Sequence, residues 1–217
     1  HEVVAISEID KYAIKAYEAI HGPTNNLGNI CKINPSDIPD HDLFTYSFPC
    51  QDLSVAGKQA GLGKGTRSGL LYECEKIIEA KKPKYLLLEN VKNLVGKKFK
   101  PQFDEWLAYL EELGYTNYWK VLNAKDYGIP QNRERVFVVS ILGEHEPYKF
   151  PDPIPLEKCI KDILEDEVDE KYYLSNEYVD RFKQNIKKDK YPFGKEYKVI
   201  GTTVENKEEK GTDGISP

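Results

Sequence analysis

The chain has 217 residues, of which 40% are hydrophobic and 31% are charged, and its formal net charge is -5 at pH 7. This length predicts one full-sized domain, or one domain with an appendage. The acidic balance does not indicate a nucleic-acid binder, so any such role must come from a local site. No apolar run reaches the roughly 18 residues of a membrane span, and no signal pattern is present. We therefore expect a soluble, cytoplasmic protein without a membrane contact.

The cysteines and histidines carry no metal-binding pattern. The four cysteines lack CxxC spacing, which predicts separate thiols and argues against a disulfide framework or a zinc site. No HExxH or GxSxG motif is present, so zinc-hydrolase and serine-hydrolase functions are excluded, and we expect no metal. The chain begins with His1 and contains no Met, from which we expect it to be part of a longer gene product.

The first predicted elements are a strand and a helix. The β-branched run from Val3 to Ile6 predicts a short strand. Asp10 is a suitable N-cap for the helix that follows, and Gly22 before Pro23 predicts where that helix ends. The apolar side chains of the helix fall on one stripe, namely Tyr12, Ala13, Ala16, Tyr17 and Ile20.

The next hundred residues repeat this alternation. Apolar runs predict strands over residues 43–48, 85–88, 118–122 and 135–142, and helical spacing predicts helices near 70–80 and 102–113. Continuous apolar strands separated by helices indicate a doubly wound α/β domain, with a mostly parallel sheet covered on both faces. We place this domain at residues 1–150.

The composition changes after residue 150. Pro151, Pro153 and Pro155 interrupt the pattern, and residues 151–217 hold 16 acidic against 12 basic side chains. This segment is predicted to be a linker followed by an accessory region or the start of a second domain.

Chemistry in a doubly wound domain lies beyond the carboxyl ends of its strands, and several polar residues are predicted there. Glu8 could accept hydrogen bonds from a ribose or could be a solvated carboxylate. Cys50 could be a nucleophile or a small apolar side chain.

Two further groups follow or begin predicted strands. Glu89, before Asn90, closes a buried run, where burial favours a protonated carboxyl group; the alternative is a structural carboxylate bonded to backbone amides. Arg133 and Arg135 share one strand face and could point into the crevice, or they could form a surface ion pair with Glu134.

The glycine-rich segment 57–69 does not match a phosphate-binding loop. Neither GxxxxGK[ST] nor GxGxxG fits the run Gly61–Thr66. Kinase and P-loop functions are therefore excluded.

Three segments together are far more specific than any single residue. They are SFPCQDLSVAGKQ at 47–59, LENVKNL at 88–94 and QNRERVF at 131–137. In order and spacing they strongly resemble the C5-cytosine DNA methyltransferase family, of the bacterial or phage restriction-modification type. The flanks EIDKYA at 8–13 and VLNAKDYGIP at 121–130 agree, so the resemblance covers about residues 1–165.

The resemblance implies a Rossmann-like fold that transfers a methyl group from S-adenosylmethionine to carbon 5 of a flipped-out cytosine in double-stranded DNA, leaving S-adenosylhomocysteine. By resemblance, Cys50 adds to carbon 6 and Glu89 donates a proton at nitrogen 3. Arg133 and Arg135 surround the ring, and Asn90 shapes the pocket.

Further roles follow from the same resemblance. Asn29 stands where the family usually has an aspartate facing the adenine amino group. The residues implied in cofactor binding are Glu8, Ile9, Asn29, Ile30, Pro49 and Leu70, and those implied in holding DNA are Ser54 and Lys58. A monomer is expected, with a cognate restriction endonuclease as its partner in the same system.

The chain also departs from the family. The first glycine-rich cofactor motif is expected before residue 1, and the return helix and strand that follow the recognition domain are missing. The tail from about Leu174 is predicted to begin the target-recognition region. Two alternatives stay open: an RNA-methylating relative, separable by comparing methyl transfer to duplex DNA and to tRNA, and a non-catalytic subunit, which would not need Cys50, Glu89 and both arginines.

Overall fold

The computed structural model describes residues 1–48, 70–188, 197–200 and 203–206. The chain divides into two compact units, His1–Ile160 and Lys161–Pro217. The first unit contains the segments predicted to carry chemistry. The second contains a helix and a two-stranded antiparallel sheet. The predicted roles of residues 1–150 and 151–217 stay predictions.

The first unit alternates helices and strands as its apolar pattern predicts. Its elements are α1 (Lys11–His21), β1 (Leu43–Tyr46), α2 (Leu71–Lys81), β2 (Tyr85–Val91), α3 (Lys100–Glu112), β3 (Tyr115–Asn123) and β4 (Glu134–Leu142). The second unit has α4 (Asn176–Lys188), β5 (Tyr197–Ile200) and β6 (Thr203–Asn206). None of the helices in these described ranges is both long enough and apolar enough to cross a bilayer.

The four strands of the first unit form one sheet in the order β1-β2-β4-β3. β1 and β2 are parallel, whereas β4 runs antiparallel to both β2 and β3. The described part of the sheet is therefore mixed. The reason lies in the connections: a helix links β1 to β2, but residues 124–133 link β3 to β4 without an α-helix, and so short a link can join only antiparallel neighbours.

The predicted strand at Val3–Ile6 is wrong. Ile6 forms a single parallel bridge with Asn26, and Val3 and Val4 are exposed. The Ile6 amide donates to the Asn25 carbonyl at 2.9 Å, and its carbonyl accepts from the Leu27 amide at 2.8 Å. β-branched residues favour extended backbone, but a strand also needs a neighbour along its length. Here the pairing stops after one residue.

The core lies on one face of the sheet. In β2 the side chains of Leu86 and Leu88 are buried, and in β4 those of Val136 and Val138 are buried beside them. α2 and α3 cover this face. Trp106 of α3 donates from Nε1 to the Tyr46 hydroxyl at 3.2 Å, which satisfies both polar groups of this buried aromatic pair.

The caps of α1 are as predicted, but its apolar stripe is not buried. Asp10 Oδ1 accepts from the amides of Tyr12 at 2.7 Å and Ala13 at 2.9 Å. Gly22 ends the helix with φ at 83°, a value that favours glycine. No residue of α1 is buried, and Ile20 is 75% exposed. Of the described helices, α2 and α3 contribute the buried side chains that cover one face of the sheet.

Replacing Leu110 with Ala should lower the free energy of unfolding by about 2–5 kcal/mol, because Leu110 is fully buried between α3 and the sheet. Ile20→Ala is the matched control and should change it by less than about 0.5 kcal/mol. Urea denaturation of both variants measures the difference. Equal losses would contradict the described packing.

Candidate active site

Three strand ends meet at one edge of the sheet and line an open pocket of about 350 Å³. The carboxyl ends of β1 and β2 lie side by side because these strands are parallel. The start of β4 joins them because β4 runs antiparallel to β2. The lining residues are Ser47, Phe48, Glu89, Asn90, Val91, Arg133 and Arg135. The structure thus brings the predicted Glu89, Asn90, Arg133 and Arg135 together.

Glu89 and Arg135 form an ion pair across β2 and β4, with 3.0 Å between Glu89 Oε1 and Arg135 Nε. The register places Glu89 opposite Phe137 and Arg135 opposite Val91, so both charged side chains lie on the face away from α2 and α3. Glu89 is 38% and Arg135 is 23% exposed at the side chain. Glu89 is therefore a half-buried, paired carboxylate that a substrate could reach.

The alternative prediction, in which Arg133 and Arg135 form a surface ion pair with Glu134, is wrong. Glu134 Oε1 and Oε2 accept from Lys92 Nζ at 2.8 and 2.9 Å, so its partner is a lysine beyond β2. Arg135 Nη1 instead donates to the backbone carbonyl of Glu134 at 2.8 Å. Two ion pairs thus join the end of β2 to the start of β4.

Asn90 fixes the end of β1 against β2. Its side chain is 2% exposed, its Nδ2 donates to the Phe48 carbonyl at 3.1 Å, and its Oδ1 accepts from the Val91 amide at 2.9 Å. A buried amide without such bonds would destabilise the fold by about 1–3 kcal/mol. Asn90 therefore shapes the pocket wall by holding Phe48.

Arg133 reaches the pocket from the residue before β4. Its amide donates to Asn123 Oδ1 at 3.0 Å, and its carbonyl accepts from the Ala124 amide at 3.0 Å. Sequence reasoning did not select Asn123. The available signal was an asparagine at the end of an apolar run, where its side chain can cap the next turn.

A second cluster joins the segments 6–9 and 25–30. Glu8 Oε1 accepts from the amides of Ile9 at 2.7 Å and Asp10 at 2.8 Å. The Asn26 side chain accepts from the Glu8 amide at 3.1 Å and donates to the Glu8 carbonyl at 3.1 Å. Asn26 was also missed, because its role depends on which segment lies beside it.

The other described residues predicted to bind the cofactor lie in this cluster, except for Leu70 at the start of α2. Asn29 Oδ1 accepts from the Cys31 amide at 2.9 Å and caps a short turn that begins at Ile30. Ile30 and Leu70 are half-buried and both pack against the core, whereas Ile9 is 71% exposed. An amide oxygen can accept a second hydrogen bond, so Asn29 keeps a free acceptor site.

These donors and acceptors fit a nucleoside with free hydroxyls. Two backbone amides hold Oε1 of the Glu8 carboxylate, and no hydrogen bond joins Oε2 to residues 1–48 or 70–160. A carboxylate oriented in this way can accept hydrogen bonds from ribose hydroxyls. The residues present therefore fit the ribose and adenine of S-adenosylmethionine.

A model of the C-5 cytosine-specific DNA methylase family matches residues 1–214. The chain belongs to this family. It is 61% identical over 156 residues to Type II methyltransferase M2.ScrFI of Lactococcus lactis subsp. cremoris, covering 71% of this chain and 43% of the relative. It is 45% identical over 170 residues to M.NlaX of Neisseria lactamica, covering 78% and 54%. The chain spans about half the length of the curated relatives it matches.

A solved structure shows the same fold. The Dnmt2 methyltransferase of S. pombe superimposes with a TM-score of 0.63 at 21% identity, covering 84% of this chain and 58% of the other. This similarity confirms the predicted Rossmann-like methyltransferase fold.

Four predicted site residues of this family member lie outside the described residues. They are Pro49, Cys50, Ser54 and Lys58, and their roles stay predictions. Within the ranges that the structure describes, no group of three or more His, Cys, Asp and Glu side chains could hold a metal ion.

Burial raises the pKa of the Cys74 thiol to about 12. Cys74 should therefore stay protonated at pH 8 and resist iodoacetamide in the folded chain, whereas the exposed Cys31 should react. Peptide mass spectrometry after labelling, with and without urea, measures both sites. Rapid native labelling of Cys74 would contradict its burial.

Proposed function

We propose that the protein containing this chain methylates carbon 5 of cytosine in double-stranded DNA, as a modification enzyme of Type II. The observation that supports this most is the Glu89–Arg135 ion pair in a pocket that Arg133 also lines. Phe48 forms part of the same wall and precedes Pro49-Cys50 in the sequence. The chain also belongs to the C-5 cytosine-specific DNA methylase family.

The proposed nucleophile is Cys50. Carbon 5 of cytosine is weakly nucleophilic, so the Cys50 thiolate first forms a bond to carbon 6, and the 5,6 double-bond electrons make carbon 5 enamine-like. Carbon 5 would then form a bond to the sulfonium methyl group that S-adenosylmethionine supplies, and the methyl–sulfur bond would break to leave S-adenosylhomocysteine. Loss of the carbon 5 proton to a base or ordered water restores the double bond and expels the thiolate, so Cys50 is regenerated.

Glu89 and Arg135 support this addition from one side of the ring. Cytosine presents two adjacent acceptors, O2 and N3, and the two side chains lie 3.0 Å apart on one sheet face. Arg135 donates to O2, and Glu89, after leaving its ion pair and taking up a proton from water, donates that proton to N3, so negative charge does not accumulate on the ring. The two groups exchange their ion pair for the base, and Arg133 contacts the ring from the start of β4.

The cofactor is proposed to lie against Glu8, with Ile9 and Ile30 beside the adenine and Asn29 accepting from its amino group. When bound, S-adenosylmethionine supplies an electrophilic methyl group on a sulfonium. Pro49 and Leu70 are proposed to line the same site. Pro49 follows the carboxyl end of β1 in the sequence. Here the chain's residues bind and orient the donor.

The substrate base must leave the DNA stack, at a cost of about a few kcal/mol that pocket contacts offset. Ser54 and Lys58 are proposed to hold the backbone of the flipped nucleotide.

The region from about Leu174 is proposed to begin target recognition. A cognate restriction endonuclease is the proposed partner, the enzyme acts as a monomer, and bacterial cytoplasm is its location because DNA and cofactor meet there.

The full-length protein should transfer labelled methyl groups from S-adenosylmethionine to duplex DNA of random sequence. Cys50→Ala should abolish transfer, since no thiolate remains to add to carbon 6. Cys159→Ala removes an exposed thiol outside the pocket and should retain activity. Sequencing the modified cytosines identifies the target. Transfer to tRNA instead of DNA, or activity of Cys50→Ala, would overturn the proposal.

Glu89→Gln should lower the turnover number by roughly 10²–10⁴-fold, because an amide cannot deliver a proton to N3. Trapping tests this separately from transfer: 5-fluorocytosine in the duplex prevents the last proton loss, so the Cys50 adduct accumulates. Wild-type enzyme should give a covalent complex on a denaturing gel, with Glu89→Gln much slower and Cys50→Ala giving none. Equal trapping rates for wild type and Glu89→Gln would remove Glu89 from the addition step.

A further inference from the structure

The hydrogen bonding at the end of β3 leaves Arg133 outside the strand ladder. Antiparallel pairing of β3 and β4 stops at Asn123 opposite Glu134. The next pair would be Ala124 and Arg133, and only half of it forms: the Ala124 amide donates to the Arg133 carbonyl at 3.0 Å. The Ala124 carbonyl instead accepts from the amides of Tyr127 at 3.0 Å and Ile129 at 3.2 Å.

The Asn123 side chain replaces the missing acceptor. Its Oδ1 accepts from the Arg133 amide at 3.0 Å and from the Lys125 amide at 3.3 Å. Its Nδ2 donates to Asn132 Oδ1 at 2.7 Å. One side chain thus closes the base of the connection 124–133 and holds the residue immediately before Arg133 as well as Arg133 itself.

Arg133 depends on this support more than its neighbours do. Arg135 is held by Glu89 and by the Glu134 carbonyl. Arg133 is exposed and has no carboxylate partner among residues 1–48 and 70–160, so the position of its backbone determines which part of the pocket its guanidinium can reach.

We infer that Asn123 is a positioning residue for the reaction, acting through the backbone of Arg133 to aim its guanidinium at the flipped base. The inference rests on the proposed function for the role of Arg133. Misplacing a contact to the reacting group by about 1 Å can reduce a rate roughly 100-fold. Loss of the hydrogen bond to the Arg133 amide could therefore lower the rate of methyl transfer measurably.

Kinetics on the full-length protein tests the inference with DNA and labelled S-adenosylmethionine. Asn123→Ala should lower the turnover number roughly 10- to 100-fold without raising the KM for the cofactor. Asn123→Asp keeps the acceptor for the Arg133 amide, and the Asn132 amide can turn to donate to it, so this variant should recover most of the rate. In an Arg133→Ala background, Asn123→Ala should add almost no further loss.

Asn117→Ala is the matched control on the same strand. The Asn117 side chain donates to the Leu107 carbonyl at 3.0 Å and accepts from Ser140 Oγ at 2.6 Å, away from the pocket. This variant should lower the urea midpoint at least as much as Asn123→Ala while retaining the turnover number. Additive losses for Asn123→Ala and Arg133→Ala, or equal rate losses for both asparagine variants, would overturn the inference.

Hydrogen exchange provides a readout that needs no activity. Amides of 124–133 should exchange faster in Asn123→Ala than in wild type, with little change in Asn123→Asp or Asn117→Ala. Unchanged exchange in Asn123→Ala overturns the positioning role even if methyl transfer occurs. Absence of methyl transfer by wild-type protein overturns the proposed function instead, and with it the positioning role of Asn123 in the reaction, whatever the exchange shows.

Discussion

The antiparallel register of β2 and β4 determines what the pocket contains. Successive side chains alternate between the two faces, so Leu88 and Val138 pack into the core while Glu89 and Arg135 meet on the other face. A slip of one residue would turn Arg135 toward the helices and expose a valine. Burial of apolar side chains on one face therefore fixes the geometry of the charged pair on the other.

Asparagine side chains fix the positions of site residues at points where strand pairing ends. Asn90 holds the carbonyl of Phe48 at the end of β1, Asn123 holds the amide of Arg133, and Asn26 holds both backbone groups of Glu8. Each offers a donor and an acceptor on a short, stiff side chain, so it can replace the backbone of an absent neighbouring strand. The side-chain amides of neighbouring asparagines thus hold the backbone at or next to the predicted site residues.

Local signals predicted much of the fold. Asp10 and Gly22 mark the ends of α1 because caps act within a few residues. The apolar spacing that predicts α3 likewise depends only on residues within that helix. The direction of β4 could not be predicted, since a continuous apolar run looks alike in parallel and antiparallel strands. The predicted strand at Val3–Ile6 does not form, because strand pairing depends on residues far apart in the sequence. Asn123 and Asn26 were not predicted for the same reason. Glu89, Arg133 and Arg135 were selected because they stand at the ends of predicted strands, and the motif resemblance then supplied their roles and that of Asn90.

The net charge of -5 is a poor guide to what the pocket attracts. Residues 1–150 are nearly balanced, with 19 basic against 20 acidic side chains, and most of the excess acid lies in 151–217. Among the residues that the structure describes around the pocket, the basic side chains of Lys92, Arg133 and Arg135 outnumber the acidic ones of Glu89 and Glu134. Screening limits electrostatic reach to about 10 Å at ordinary salt, so an approaching phosphate responds mainly to the side chains within that distance of the pocket.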